Sequence, residues 1–168
     1  KPAGSSFAIV HAKGKKSNVT VYDLWAANKV THEFDEDIAP VSLCYAPDAK
    51  SLVISGNNKE LFFFDTRQYE LQYKMEIPFV AENIAISNNN FFIAASNGTT
   101  LNIWNLQSKE LRKSISTDEK INCFTFSSDN NLLAILTADG KLTTYDTRTF
   151  FILQSYYAMW IAPHCLSR

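Results

Sequence analysis

The sequence LFFFDTRQYEL, residues 61–71, places three consecutive phenylalanines directly before Asp-Thr-Arg. A short apolar run of this kind predicts a buried strand with both of its faces covered. The Asp-Thr-Arg that follows is typical of a turn, since short polar side chains bond to nearby backbone. If this strand and turn repeat at a fixed period, the repeat decides the fold.

The pattern occurs four times along the chain. An aromatic residue followed by Asp or Asn ends each copy, at intervals of 42, 40 and 41 residues: Tyr22-Asp23, Phe64-Asp65, Trp104-Asn105 and Tyr145-Asp146. An apolar residue opens the next segment at nearly the same intervals, at Val30, Leu71, Leu111 and Ile152. Two markers that share one period of about 40 residues indicate a repeat protein.

Two earlier segments precede the aromatic strand in each of the last three copies. The first is SLCYAPD, NIAISNN or CFTFSSD, at residues 42–48, 83–89 and 123–129, and the second is SLVIS, FFIAAS or LLAILT, at 51–55, 91–96 and 132–137. We expect Asn57-Asn58, Asn97-Gly98 and Asp139-Gly140 to supply the positive φ of the hairpins before the aromatic strands. Each unit therefore predicts four short antiparallel strands, which is the make-up of a β-propeller blade.

The repeat resembles the WD40-repeat family over nearly the whole chain. Trp104-Asn105 is similar to the family's Trp-Asp dipeptide, and Asp139-Gly140 to its usual turn. No Gly-His precedes any blade, and one of the four dipeptides keeps Trp, so the blades are degenerate. The resemblance implies an all-β propeller with about four blades visible here, part of a larger ring of about seven.

The predicted blades do not make a closed ring of ordinary size. Residues 1–38 form a partial blade of three strands, residues 39–78, 79–117 and 118–156 form full blades, and residues 157–168 start another blade or a tail. An open arc would expose an apolar end face. We expect the remaining blades to come from a longer chain or from another chain. A ring that closes on itself with four blades is the remaining alternative. The missing first strand and the absence of an initial Met favour the longer chain.

Composition narrows the cellular setting. The formal charge of −1 gives no argument for a nucleic acid or an anionic membrane as the main partner. Three cysteines without paired spacing, Cys44, Cys123 and Cys165, suit a reducing compartment. No apolar run reaches the roughly 20 residues of a membrane span, and no secretory leader is visible. These features predict an intracellular protein of the nucleus or cytoplasm, not a secreted one.

The chain contains few residues in patterns that indicate chemistry. Lys13-Gly14-Lys15-Lys16-Ser17 resembles the end of a phosphate loop, but Ile9 stands where glycine is required. A solvated hairpin loop is the expectation, in which Lys13, Lys15 and Lys16 could contact a partner or weakly contact RNA. The acidic stretch 35–37 predicts a solvated loop, or a contact for a basic partner.

No metal or cofactor site is predicted. Of His11, His32 and His164, the last is adjacent to Cys165, and no second ligand pair has a zinc-like spacing. The predicted inner strands carry Cys, Ser and Thr but no Asp, Glu or His. We therefore expect a protein that is not an enzyme, with a catalytic site in the central channel as the alternative.

Two arginines occupy identical positions, Arg67 in FDTR and Arg148 in YDTR. They resemble the Trp-Asp-x-Arg motif of WD40 substrate receptors for a cullin-4 ubiquitin ligase, where the arginine anchors the adaptor. The alternative is a rim arginine that pairs with local carboxylates. The leading hypothesis is a protein–protein interaction scaffold, a subunit of a large intracellular complex such as a nuclear or nucleolar ribonucleoprotein assembly.

Overall fold

Four antiparallel sheets make up the computed structural model, which describes residues 6–13, 16–23, 29–34 and 38–157. Sheet 1 has three strands: β1 Ser6–Lys13, β2 Lys16–Asp23 and β3 Lys29–Glu33. Sheet 2 contains β4 Pro40–Tyr45, β5 Ser51–Gly56, β6 Glu60–Asp65 and β7 Leu71–Glu76. Sheet 3 contains β8 Asn83–Ile86, β9 Phe92–Asn97, β10 Thr100–Asn105 and β11 Leu111–Ser116. Sheet 4 contains β12 Ile121–Phe126, β13 Leu132–Thr137, β14 Lys141–Asp146 and β15 Ile152–Tyr157.

Every sheet is a meander, in which each strand pairs with the next one along the chain. The first strands of successive full sheets lie against each other, β4 beside β8 and β8 beside β12. In sheet 1, β1 takes the position next to β4. The first strands therefore converge while the later strands fan outwards, as in the blades of a propeller.

The aromatic strand β6 explains why the opening apolar run is continuous. Leu61 and Phe63 belong to the core between sheets 2 and 3, whereas Phe62 and Phe64 belong to the core between sheets 1 and 2. Successive side chains of a strand point to opposite faces, and both faces of this sheet are covered. The predicted strand and its buried faces are confirmed.

The hairpin before β6 differs from its prediction. The residue with positive φ is Lys59, at 64°, and not Asn57 or Asn58. A three-residue loop joins β5 to β6, and such loops place the left-handed residue last. Sheet 4 has the same loop length with Gly140, at 82°, in that position, so the prediction holds there. The two-residue loop of sheet 3 has its positive φ at Gly98, also as predicted.

The described residues contain no helix that is long and apolar enough to cross a membrane.

Candidate functional site: a rim groove between sheets 3 and 4

The turn after each aromatic strand is built around the Asp or Asn of the repeat. In sheet 4, Asp146 Oδ1 accepts hydrogen bonds from the backbone N–H of Arg148 at 3.0 Å and of Thr149 at 2.9 Å. Phe150 then takes a left-handed conformation, with φ of 55°, and its N–H donates to the Asp146 carbonyl at 2.7 Å. The side-chain oxygens of Asp65 and Asn105 make the corresponding bonds in sheets 2 and 3. The repeated residue is therefore the acceptor that closes the turn.

This turn holds Arg67 and Arg148 exposed on the same rim, two sheets apart. The guanidinium of each has no hydrogen bond and no ion pair to a described side chain. The pKa of Asp146 is lowered, first by the Thr149 backbone N–H and hydroxyl, with the charge of Arg148 a smaller cause. The fixed turn therefore presents two arginines whose hydrogen-bonding capacity is available.

Arg148 lies on a groove of about 660 Å³ between sheets 3 and 4. Sheet 3 contributes the loop before β9, the turn after β10 and the start of β11, and sheet 4 contributes the loop before β13 and the turn after β14. The lining residues are Asn89, Phe91, Phe92, Asn105, Ser108, Glu110, Leu111, Arg112, Asp129, Asn130, Asn131, Thr147 and Arg148. A volume of this size is typical of sites that take a small molecule or a few side chains.

Hydrogen bonds between the two sheets fix one wall of the groove. Asn88 Nδ2 donates to the Ser128 carbonyl, and the Asn89 N–H donates to Asn130 Oδ1, both at 2.9 Å. These bonds join equivalent loops of neighbouring sheets. They hold the loop before β9 against the loop before β13.

Apolar and charged side chains share the groove. Phe91 is 43% exposed and Leu111 is 53% exposed, which is high for large apolar residues. Arg112 and Arg148 supply two positive charges, and Glu110 and Asp129 supply two negative ones. The Ser127 hydroxyl, followed by the backbone and side chain of Asn131, lowers the pKa of Asp129 to about 2. Asp129 is thus ionised at neutral pH and is occupied in shaping its own loop.

The sequence motifs identified Arg148 but missed Arg112, which belongs to no motif. Arg112 follows Leu111 at the start of β11, at the position that Gln72 occupies after Leu71 in β7. Aligning the repeats by these leucines would have singled it out as the position where consecutive blades differ in charge.

The strands nearest the centre use their polar groups structurally. The hydroxyls of Ser42 and Ser55 both donate to the Ala81 carbonyl at 3.1 Å, which joins sheet 2 to the segment that leads into sheet 3. Cys44 packs against the core between the same sheets, and burial raises the pKa of its thiol to about 12. Neither hydroxyl is free, and the thiol is protonated at neutral pH.

The other predicted contacts lie elsewhere. The backbones of Lys13 and Lys16 pair with each other across the β1–β2 hairpin. His11 Nε2 lies 2.7 Å from the Thr20 hydroxyl, and His32 stacks on Tyr69 with 5.0 Å between ring centroids. Within the described stretches, no three side chains of metal-binding type gather. The predicted groups at Lys15, residues 35–37, and His164-Cys165 fall outside the described residues.

No family model and no curated protein matches the chain. Among solved structures, the chain is similar to the hydrazine synthase of Kuenenia stuttgartiensis, at 18% identity and a TM-score of 0.65. The match covers 73% of this chain and 36% of that one, so the chain spans little more than a third of that structure. The resemblance to WD40 repeats stays a prediction.

The prediction that the chain is not an enzyme is overturned by this comparison, because the structure that shares its blades is an enzyme. The prediction rested on the lack of Asp, Glu and His in the inner strands. Blades are a scaffold for many unrelated functions, and groups outside the inner strands can carry the chemistry. The strand pattern therefore gives no argument against catalysis. The sheets and the comparison together establish the fold: the described chain is an arc of β-propeller blades.

Proposed function

We propose that this chain is a protein–protein interaction module, an arc of propeller blades that works as a subunit of a larger assembly. The observation that carries the proposal is the outer face of sheet 4, which points away from sheet 3. This outer face contains Cys123, Leu136, Leu142 and Tyr156, which lie side by side across its four strands. It is equivalent in position to the face with which each preceding sheet contacts the sheet that follows it.

Equivalent residues show the difference between a covered and an uncovered face. Leu101 of β10 pairs with Ile115 of β11, and they are 0% and 6% exposed under sheet 4. Leu142 of β14 pairs with Tyr156 of β15 in the same register, and they are 36% and 53% exposed. These apolar side chains have the same spacing as those of a covered blade interface. A further four-stranded sheet could therefore cover them.

The covering sheet can belong to a longer form of this chain or to another chain, and in both cases the arc is joined to more protein. Propellers present loops on two rims and serve as rigid platforms for several partners. A large intracellular complex, with a nuclear or nucleolar ribonucleoprotein assembly as one example, is our proposal for the setting. It rests on analogy of fold.

Purification of the endogenous protein, with mass spectrometry of the bait and its companions, tests this proposal. A bait with additional blade repeats, or a constant set of co-purifying subunits, supports it. Tagged Leu142→Glu should lose the subunits that cover the outer face, since a charge would be buried against an apolar sheet. Leu71→Glu is the control, because Leu71 is also a partly exposed leucine but lies on the outer strand of sheet 2. A bait without stable companions or further blades contradicts the proposal.

A second candidate is a substrate receptor for a cullin-4 ubiquitin ligase. It is favoured by the identical presentation of Arg67 and Arg148, whose backbone N–H groups lie 3.0 Å from the aspartate that precedes each by two residues. Reversing both charges should abolish adaptor binding and leave the fold intact, with Lys50→Glu on the same rim as the control. Adaptor binding that survives the double reversal rejects this candidate.

A further inference from the structure

We infer that the rim groove between sheets 3 and 4 binds an extended acidic peptide segment of a partner protein. In this arrangement Arg112 and Arg148 hold carboxylates of the peptide, and Phe91 and Leu111 contact an apolar side chain between them. The inference goes beyond the proposed function, which concerns the outer face of sheet 4.

The charges of this groove are not a general property of the blades. The junction between sheets 2 and 3 is built from the equivalent loops of those two sheets, so its residues can be matched one by one to those of the groove. Gln72 stands there in the place of Arg112, and Gln107 in the place of Arg148. Lys50, immediately before β5, stands in the place of Phe91, immediately before β9. The two arginines and the aromatic residue thus occur together in one junction and are all replaced in the other.

Both guanidinium groups are open to a ligand. Within the described residues, neither Arg112 nor Arg148 has a side-chain hydrogen bond or an ion pair, although carboxylates line the same groove. Asp129 accepts hydrogen bonds from Ser127 and Asn131 and makes no ion pair with either arginine. Arginine suits carboxylate binding because its planar group donates two parallel hydrogen bonds.

Aromatic contacts within the two sheets support the apolar part of the groove. Phe91 packs edge-on against Phe92 with 4.8 Å between ring centroids, and Phe92 packs against Phe150 at 5.7 Å. The exposed ring of Phe91 is therefore supported from below and ready to bury against a ligand. A few aromatic and arginine residues commonly contribute most of the affinity at protein interfaces.

The negative charges of the groove favour a peptide over a nucleic acid. Glu110 and Asp129 balance the two arginines, so the lining has no net formal charge. A phosphate backbone carries a negative charge at every nucleotide and cannot space its charges to avoid Glu110 and Asp129. A peptide can place single carboxylates at the arginines and direct uncharged or basic groups at Glu110. The side-chain Nδ2 groups of Asn89 and Asn105 also have no protein partner in the described structure and can donate to a peptide carbonyl.

The test uses the 168-residue chain and two fluorescein-labelled pools of eight-residue peptides. One pool is randomised among Asp, Glu, Leu and Phe, and the matched pool among Asn, Gln, Leu and Phe. Fluorescence anisotropy should detect binding of the acidic pool, with affinity for the neutral pool lower by about tenfold or more. Equal binding of both pools, or no binding of the acidic pool up to about 1 mM, overturns the inference.

The variant Arg112→Gln/Arg148→Gln gives this groove the two residues of the neighbouring junction. It should weaken acidic-pool binding about tenfold or more, because each lost charged hydrogen bond contributes to affinity. Arg67→Gln is the matched control, since Arg67 occupies the same turn position in sheet 2, and it should leave binding within about twofold. Retained binding in the double variant, or tighter binding of a labelled oligouridylate than of the acidic pool, contradicts the inference. Leu142→Glu should leave peptide binding unchanged, so this result and the test of the outer face succeed or fail separately.

Discussion

Leu101 and Leu142 occupy the same position of consecutive blades, three residues before the aromatic residue of the repeat, yet Leu101 is fully buried and Leu142 is partly exposed. Sheet 4 covers Leu101, which belongs to the core shared by sheets 3 and 4. Nothing described covers Leu142. One sequence position thus has two environments, and the difference marks where the repeat could continue.

Leu101→Ala and Leu142→Ala should differ strongly in their effect on stability. Removing the buried leucine leaves a cavity between two sheets and should cost about 2 to 5 kcal/mol of unfolding free energy. Removing the partly exposed leucine should cost about 1 kcal/mol or less, because less contact is lost. Urea unfolding of both variants measures the difference. Equal losses would mean that the Leu142 side of sheet 4 is covered in solution, for example by a second copy of the chain.

Lys59→Gly should stabilise the chain. Lys59 has a left-handed backbone, which costs a residue with a Cβ about 1 kcal/mol relative to glycine. Gly140 stands at the same place of the equivalent loop in sheet 4, so glycine fits this loop type. The midpoint of urea unfolding should rise for Lys59→Gly and fall for the reverse control, Gly140→Lys. A fall in both variants would show that Lys59 makes a compensating contact.

Asn105 should be replaceable by Asp but not by Ala. Its side-chain oxygen accepts hydrogen bonds from the backbone N–H groups of Gln107 and Ser108, at 2.8 Å and 3.0 Å. Aspartate keeps this acceptor, as Asp65 and Asp146 do in the neighbouring sheets. Alanine leaves the turn donors to water and should cost about 1 kcal/mol. Urea unfolding of the two variants decides the matter, and an equal loss in both would rule out the acceptor as the reason for the repeated residue.

The same residues show how far sequence reasoning reaches. The period of the aromatic pairs predicted the strands, their order and the doubly buried run of β6, because these depend on local alternation and turn chemistry that every blade repeats. The groove escaped prediction for the opposite reason. Arg112 belongs to no motif, Phe91 was predicted only as the start of a strand, and both line one groove with Arg148 through the packing of two sheets. Features that differ between copies are invisible to a search for what the copies share.

Stability should fall as the solution becomes acidic. The pKa values of Asp129 and Asp139 are lowered, first by the hydroxyls of Ser127 and Thr137, and that of Asp146 first by the Thr149 N–H. A carboxyl with a lower pKa in the folded state stabilises the fold when it is ionised in both states. That contribution is complete above the ordinary value of 3.8 and disappears as pH falls towards about 2, the value for Asp129.

Urea unfolding between pH 6 and pH 2, at constant ionic strength, checks this expectation. Asp129→Asn should lower stability at pH 6 and reduce its further loss on acidification, since the titrating group is gone. Asp118→Asn serves as the control, because this almost fully exposed carboxylate lies 3.9 Å from the Lys141 ammonium and has no such set of hydrogen bonds. The same acid sensitivity in Asp129→Asn as in the unchanged chain would exclude Asp129 as a source of the pH dependence.

Cys123 should react with a thiol reagent long before Cys44 does. Cys123 is exposed on the outer face of sheet 4, whereas Cys44 packs on the core between sheets 2 and 3, with a pKa raised to about 12. Because the thiolate is the reactive form, Cys44 should be modified only as fast as the chain opens.

In a Cys165→Ser background, Ellman's reagent at pH 8 should therefore show one fast and one slow thiol, both fast in denaturant. The slow phase should disappear in Cys44→Ser. A bound partner that covers the outer face should also slow the reaction of Cys123 with the reagent. A fast reaction that persists in Cys123→Ser would mean that the junction between sheets 2 and 3 opens readily, which would contradict the packing described for Cys44.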